Sequence, residues 1–284
     1  MAKVIKRAFA DMTEGQVFYR YAGADKPGTP LIMLHVVPGT SLGMVPLMEL
    51  IGRERPVYAM DMLGCGESAP PRAGEPDIAY FGESIRRFAD ALGFKNFDLY
   101  GNRVSAHAAV ETALAAPDRV RRLIVDGLFL FPWPTDVLPW KQSYAEPSVD
   151  RMKEMYAPKL TLDHEGSQFH YAWTAIRDAS LFWPWYERDA AHARTIGLPS
   201  ADELHDKVVE VLRGARTQHI VNRASFSQDW RARCKLVKVP TLAEANAHPF
   251  LPGARRKESE RFDAFNSTPE KTQACARDIL AFLA

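Results

Sequence analysis

The sequence predicts an α/β protein: a mostly parallel central sheet flanked by helices, interrupted late in the chain by a helical cap insertion. Three observations carry this. Short continuous apolar runs, Leu31–Leu34 and Val57–Met60, each lead into a glycine-bearing turn, as central strands buried on both faces do. Segments of helical spacing separate such runs, for example Phe81, Ile85, Phe88 and Leu92 closing on Gly93. From Leu128 the texture changes to aperiodic proline- and aromatic-rich sequence, and strand chemistry resumes only at Leu236–Ala245, "LVKVPTLAEA".

In chain order, Gln16 to Gly23 is β-branched and aromatic and ends in glycine, a strand. The strand beginning at Leu31 ends in His35-Val36 and a Pro38-Gly39 turn, and the strand from Val57 runs into Gly64 and Gly66. After the helix closing on Gly93 come the strand "FDLYG", the turn Gly101-Asn102-Arg103-Val104-Ser105, a helix, and the strand "RLIVDG". The insertion contains two helical stretches, "SQFHYAWTAIRDASLFWPWYERDAAHA" and "ADELHDKVVEVLRGARTQHIVNRASF", the second with Leu204, Val208, Val211 and Leu212 on one face. The chain closes on an amphipathic helix carrying Ala276, Ile279, Leu280 and Leu283. Residues 1–127 and 234–284 are therefore expected to form the core and residues 128–233 a helical cap.

The 284 residues, 46% of them apolar, suffice for one large domain with an insertion. With 36 basic and 35 acidic side chains the net charge is +1, which gives no support to nucleic-acid or anionic-membrane binding. Cys65, Cys234 and Cys275 are widely spaced and odd in number. They read as reduced thiols of a cytoplasmic protein, not as disulfides or metal ligands. The start, "MAKVIKRAFADMTEGQ", lacks the apolar run of a signal peptide, and no stretch suits a bilayer span.

Four stretches, "LIMLHVVPGTS", "VYAMDMLGCGESAPP", "FDLYGNRVSAHAAVETALAAPDRVRRLIVDG" and "VKVPTL", occur in an order that resembles the capped α/β-hydrolases, the epoxide hydrolase, haloalkane dehalogenase and esterase-like members of that superfamily. The resemblance implies a nucleophile elbow, G-x-S-x-G, on a strained strand-to-helix turn. Gly101 matches its first glycine, but Arg103 stands at the nucleophile and Ser105 at the second glycine. A guanidinium stays protonated and is no nucleophile; Ser105 is expected to be a small packing residue. Where the family places its acid, the loop reads "AEANAHPFLPG", with His248 nearest. Its short Pro249–Gly253 stretch leaves a crossover helix missing. Where the family places its histidine, "RFDAFNSTPEK" has none. A Ser-His-Asp hydrolase is excluded.

Ligands of this fold sit beyond the carboxyl ends of the strands. The family's strand order puts the elbow strand between the strands ending at His35 and Asp126, with Asp61 one strand beyond His35. A cation at a helix N-terminus is unfavourable without a partner. Two readings of Arg103 follow: Asp126 or Asp61 neutralises it, or it joins the free helix amides in holding a carboxylate or oxyanion. His35, crowded by Val36, is a scaffold donor or a base, and His248 is a base if its loop folds over the site. His107 reads as a packing histidine. The aromatics Trp173, Phe182, Trp183, Trp185 and Tyr186 form either cap core or an apolar lid.

The candidate catalytic residues are thus Arg103, His35, Asp126 and His248. The candidate ligand contacts are Asn102, Val104, Val36, Asp61, Trp183 and Tyr186. No histidine spacing suits a metal, and Gly64-Cys65-Gly66 is too short to cradle a dinucleotide, so no metal and no cofactor are expected. Two functions remain open. One is an enzyme using non-covalent acid/base chemistry, hydrolytic or lyase-like, on a small apolar or carboxylate-bearing substrate. The other is a catalytically inactive ligand-binding or partner-subunit protein. The expected partner is a small molecule; a homodimer is compatible with either reading.

Overall fold

The computed structural model describes residues 5–72, 74–130, 159–183, 185–195, 197–264 and 267–284. Its strands are β1 (Lys6–Met12), β2 (Gly15–Ala22), β3 (Leu31–Leu34), β4 (Val57–Met60), β5 (Phe97–Asn102), β6 (Val120–Asp126), β7 (Thr241–Ala243) and β8 (Arg255–Arg256). They form one sheet in the order β1-β2-β4-β3-β5-β6-β7-β8. The β1–β2 and β2–β4 pairings are antiparallel and the others parallel. The elbow strand β5 lies between β3 and β6, as expected. Strands β3 and β5 are buried at every position; β3 accordingly reads as an unbroken apolar run, while β5 carries a buried Asp98 that is paired with Arg55 and Arg121.

Strand β1 was not anticipated. It is an edge strand with most positions exposed and only Ala10 buried, so its sequence carries little apolar signal.

Helices α1 (Val45–Ile51), α2 (Ile78–Ala91), α3 (Val104–Ala115) and α8 (Pro269–Leu283) cover the sheet. On one face Phe81, Ile85 and Phe88 of α2 join Leu99 and Val125 in a core cluster. On the other, Leu47 and Ile51 of α1 and Ile279 of α8 pack with Met33 and Ile124.

In the insertion, the stretch read as one helix over 201–226 is two, α5 (Ala201–Arg213) and α6 (Gln218–Ala224). Gly214 caps the first, and a turn runs to Thr217. Leu204, Val208, Val211 and Leu212 do face inward: the first and third are buried, and the others pack on the small cap cluster. Helix α4 (Ser167–Ala179) ends well before Ala193; Phe182 instead bridges Ala193. Pro184 in the sequence opposes helical backbone just before it. A short α7 (Trp230–Cys234) leads back toward β7. The proline- and aromatic-rich stretch falls mostly on residues 131–158, outside the described residues.

Between β7 and β8 only a 3₁₀ turn, His248–Phe250, occupies the place of a crossover helix. This brings the chain after β8 directly against the carboxyl ends of β5 and β6. Among the described residues no helix is long and apolar enough to cross a membrane, and the three cysteines are buried and free.

Candidate active site

The elbow keeps its shape although its usual residue is gone. Arg103 has φ 54° and ψ −121°, and among the described residues it is the non-glycine residue with positive φ. Such backbone is costly and tends to mark functional sites. The Arg103 N–H donates to the Asp126 carbonyl (3.0 Å), and its own carbonyl accepts from the Ala106 N–H (3.0 Å). Gly101 permits the tight strand-to-helix approach: a Cβ there would lie 2.6 Å from the Ala106 Cα. Ser105 is buried, its hydroxyl donating to the His35 carbonyl at 2.7 Å. It packs the turn and is not presented to a ligand.

The partner of Arg103 is neither Asp126 nor Asp61. Its guanidinium meets Asp263 at 3.2 Å, with both side chains partly accessible, and lies 5.9 Å over the Phe129 ring. Burial, then the nearby Arg261, lowers its affinity for a proton, opposed by Asp263.

Asp126 is committed elsewhere. Its Oδ1 accepts from Lys257 Nζ at 2.7 Å, both side chains fully buried. Its Oδ2 accepts from the Tyr100 hydroxyl (2.8 Å) and the Phe262 N–H (3.0 Å). Burial pulls the Lys257 ammonium down, but Asp126 outweighs it and holds the group above its ordinary value. Asp61 serves backbone instead, accepting from the N–H groups of Ser41 (2.7 Å) and Glu67 (3.3 Å).

His35 is also spent. Its Nε2 accepts from the Met62 N–H at 3.0 Å, which leaves the proton on Nδ1 to donate to the Val36 carbonyl at 2.7 Å. Burial keeps the ring neutral by lowering its pKa. Of the two readings, the scaffold donor fits and the base does not. His248 sits on the 3₁₀ turn with Nε2 3.0 Å from the Ala254 carbonyl, so its loop folds on itself. His107 lies fully buried 4.3 Å from the Trp230 ring, its pKa pushed down to about 4 by burial, a packing histidine.

Asn102 is buried beside the elbow. Its Nδ2 reaches the Tyr100 hydroxyl (3.1 Å) and the carbonyls of Asp126 (3.2 Å) and Phe262 (3.0 Å), while its Oδ1 has no hydrogen-bond partner. Val36 and Val104 are buried at the elbow. Their N–H groups make no hydrogen bond among the described residues. In the inserted region, Trp183 is 50% exposed, while Trp185 packs edge-to-face on both Tyr171 and Tyr186. Of that aromatic cluster, Trp173 and Trp183 are about half exposed and only part of it is packed.

Several groups at the site were missed. Glu244 directly follows β7 and is buried; burial, then Asp126, pushes its pKa up to about 7 against the pull of Arg261, Lys257 and Arg103. The signal was its place in "AEANAHPFLPG", the loop where the family places its acid, in which His248 was taken as the nearest group instead. Arg261 and Asp263 lie in "RFDAFNSTPEK", a segment searched only for histidine. From the cap, Arg194 adds positive charge near Arg103, and Lys207 near Asp263. Thr40 donates to Glu210, tying helix α5 to the loop after β3. Burial pushes the Glu210 pKa up to about 7. Surface cavities of about 410 Å³, at Lys159–Leu162 and Arg216, and about 340 Å³, near Arg55 and Ala284, share no lining residue with this cluster.

A strained elbow after the central strand, an inserted helical region and this strand order point one way, and the comparisons agree. The family model described as alpha/beta hydrolase fold matches residues 29–188, more than half of the chain. The chain belongs to that family. It is 30% identical over 156 residues to 2-hydroxy-6-oxononadienedioate/2-hydroxy-6-oxononatrienedioate hydrolase of Paraburkholderia xenovorans, covering 50% of this chain and 53% of the relative. It is 29% identical over 117 residues to proline iminopeptidase of Heyndrickxia coagulans, covering 41% of each. The alignments thus span about half the length of these relatives. The enol-lactonase of Burkholderia xenovorans superposes with a TM-score of 0.68 at 16% identity, covering 97% of this chain and 99% of that one, a likeness of fold.

Proposed function

We propose that this α/β-hydrolase-fold protein is a hydrolase- or lyase-like enzyme that works without a covalent nucleophile on a small carboxylate-bearing substrate. The observation that carries the reading is Arg103: a partly accessible cation held at the strained elbow position, φ 54°. There a guanidinium is suited to hold a carboxylate or an oxyanion as it develops, beside the N–H groups of Val36 and Val104, which make no hydrogen bond among the described residues.

The base in this reading is Glu244 in place of His35 or His248. A carboxyl group titrating at about 7 is matched to proton transfer near neutral pH. In the hydrolytic version Glu244 takes a proton from water, the hydroxide adds to the substrate carbonyl, and Arg103 stabilises the oxyanion. Glu244 then returns the proton to the leaving group. Asp126 acts as a positioning residue, fixed by Lys257, Tyr100 and Phe262. That relatives of the chain include hydrolases supports the enzyme reading. The Arg103–Asp263 pair favours a second one, a binding protein whose site rests closed by its own carboxylate.

A panel of esters, lactones and carbon–carbon-cleavable keto acids separates the two. The expected result is turnover whose kcat/KM rises as pH passes through about 7 and falls about 10²–10⁴-fold in Glu244→Gln. Full activity in Glu244→Gln overturns the assignment of the base. Ligand binding without turnover leaves the binding protein.

A further inference from the structure

We infer that Arg261 is a second ligand-binding residue, forming with Arg103 a two-guanidinium seat for one carboxylate of the substrate. The inference deepens, and rests on, the reading of Arg103 as a ligand-facing cation.

The two arginines meet at Gly127, just past the carboxyl end of β6. A methyl group placed on Gly127 would lie 2.3 Å from Cδ of Arg261 and 3.3 Å from Cγ of Arg103. Gly127, at φ 91°, leaves the space both stems occupy. Arg261 lies close enough to disfavour the positive charge on Arg103.

The charges around them do not balance. Asp263 is taken by Arg103 and Asp126 by Lys257. Among the described residues the Arg261 guanidinium makes no ion pair, and its Nε is buried with no hydrogen-bond partner. A buried donor left unmet is unfavourable, and natural folds leave few of them. Glu244 is the remaining acid nearby, but it forms no ion pair with either arginine, and at neutral pH it is only partly ionised. Arg194 adds to the positive excess from the cap side. The uncompensated guanidinium of Arg261 calls for an anionic ligand.

The seat is also pre-set. Arg261 precedes Phe262, whose N–H donates to Asp126 (3.0 Å) and whose carbonyl accepts from Asn102 (3.0 Å). The backbone carrying the arginine is therefore fixed before any ligand arrives, which lowers the entropy lost on binding. Guanidinium presents a planar fork that matches a carboxylate in two parallel hydrogen bonds.

Calorimetry on the full chain, with succinate, its neutral analogue succinamide and inorganic phosphate as probes, tests this. Succinate is expected to bind and succinamide not. Arg261→Gln should weaken succinate binding at least tenfold, Arg261→Lys should recover part of the loss, and Asp263→Asn should strengthen binding by freeing Arg103. Circular dichroism and the urea midpoint establish that each variant is folded, and the lysine variant keeps the test alive if the glutamine variant is not. Unchanged succinate affinity in Arg261→Gln, with binding lost in Arg103→Gln, overturns the role of Arg261 while the elbow reading stands. Unchanged affinity in both variants, or no succinate binding by the wild type, overturns both. Phosphate binding in preference to succinate overturns the carboxylate assignment.

Discussion

Two cations at the carboxyl end of the sheet should respond very differently to removal. Lys257 and Asp126 are both fully buried and 2.7 Å apart. Lys257→Met leaves a buried carboxylate with hydrogen bonds from Tyr100 and Phe262 but no counter-charge, a loss of about 3–5 kcal/mol. That is about a fifth or more of the stability of an ordinary domain. Arg103→Gly acts on a different balance. It removes a partly exposed ion pair with Asp263, worth about 0–1 kcal/mol, and glycine adds about 0.5–1 kcal/mol of backbone entropy to the cost of folding. Against this, glycine accepts φ 54° freely, which relieves about 1–3 kcal/mol of strain. The net change should run from about 2.5 kcal/mol of stabilisation to about 1 kcal/mol of loss. Equilibrium urea unfolding at pH 7 reads both variants. If Arg103→Gly loses more than about 2 kcal/mol, or Lys257→Met less than about 1 kcal/mol, the division between a structural lysine and a ligand-facing arginine is wrong.

Glu210 should make the wild type less stable as pH rises. Its folded pKa, about 7, lies above the ordinary 4.5, so its contribution is fully present below the lower value and is lost as pH climbs through the higher one. Glu210→Gln, which cannot ionise, should show a shallower fall in Tm between pH 5 and pH 8, and an equal fall in both proteins refutes the assignment. Gly101→Ala forces a methyl to within 2.6 Å of the Ala106 Cα and 2.9 Å of the Ala109 Cβ, so thermal denaturation should show a loss of about 1–3 kcal/mol. An unchanged Tm would mean that strand and helix have room to separate.

The sheet and its helices were legible because their signals are local. The Leu31–Leu34 and Val57–Met60 runs and the buried face of α2 carry their periodicity within a few residues. The elbow was legible in the same way, as a glycine turn between strand and helix. Strand β1 escaped because an exposed edge strand needs no apolar face. The partners of the charged residues escaped for a different reason: Arg103 meets Asp263 and Asp126 meets Lys257 across more than a hundred residues of chain. Several carboxylates stand within reach of any strand end in this fold, and nothing local says which cation each will take. His35 shows the same limit. Its residue type suggested a base, but the Met62 N–H and the Val36 carbonyl, which decide its tautomer, are backbone groups with no signature in side-chain identity.

The clamp on Phe262 has a consequence for engineering. Its two backbone bonds, to Asp126 and Asn102, fasten the segment without using the side chain on either side of it. Positions 261 and 263 are thus sockets on a fixed rail, and 103 and 244 are mounted on the sheet's own turns. A combinatorial library confined to these four positions would vary the reactive groups while leaving the fastening alone, a simple starting point for installing new catalytic chemistry on this framework.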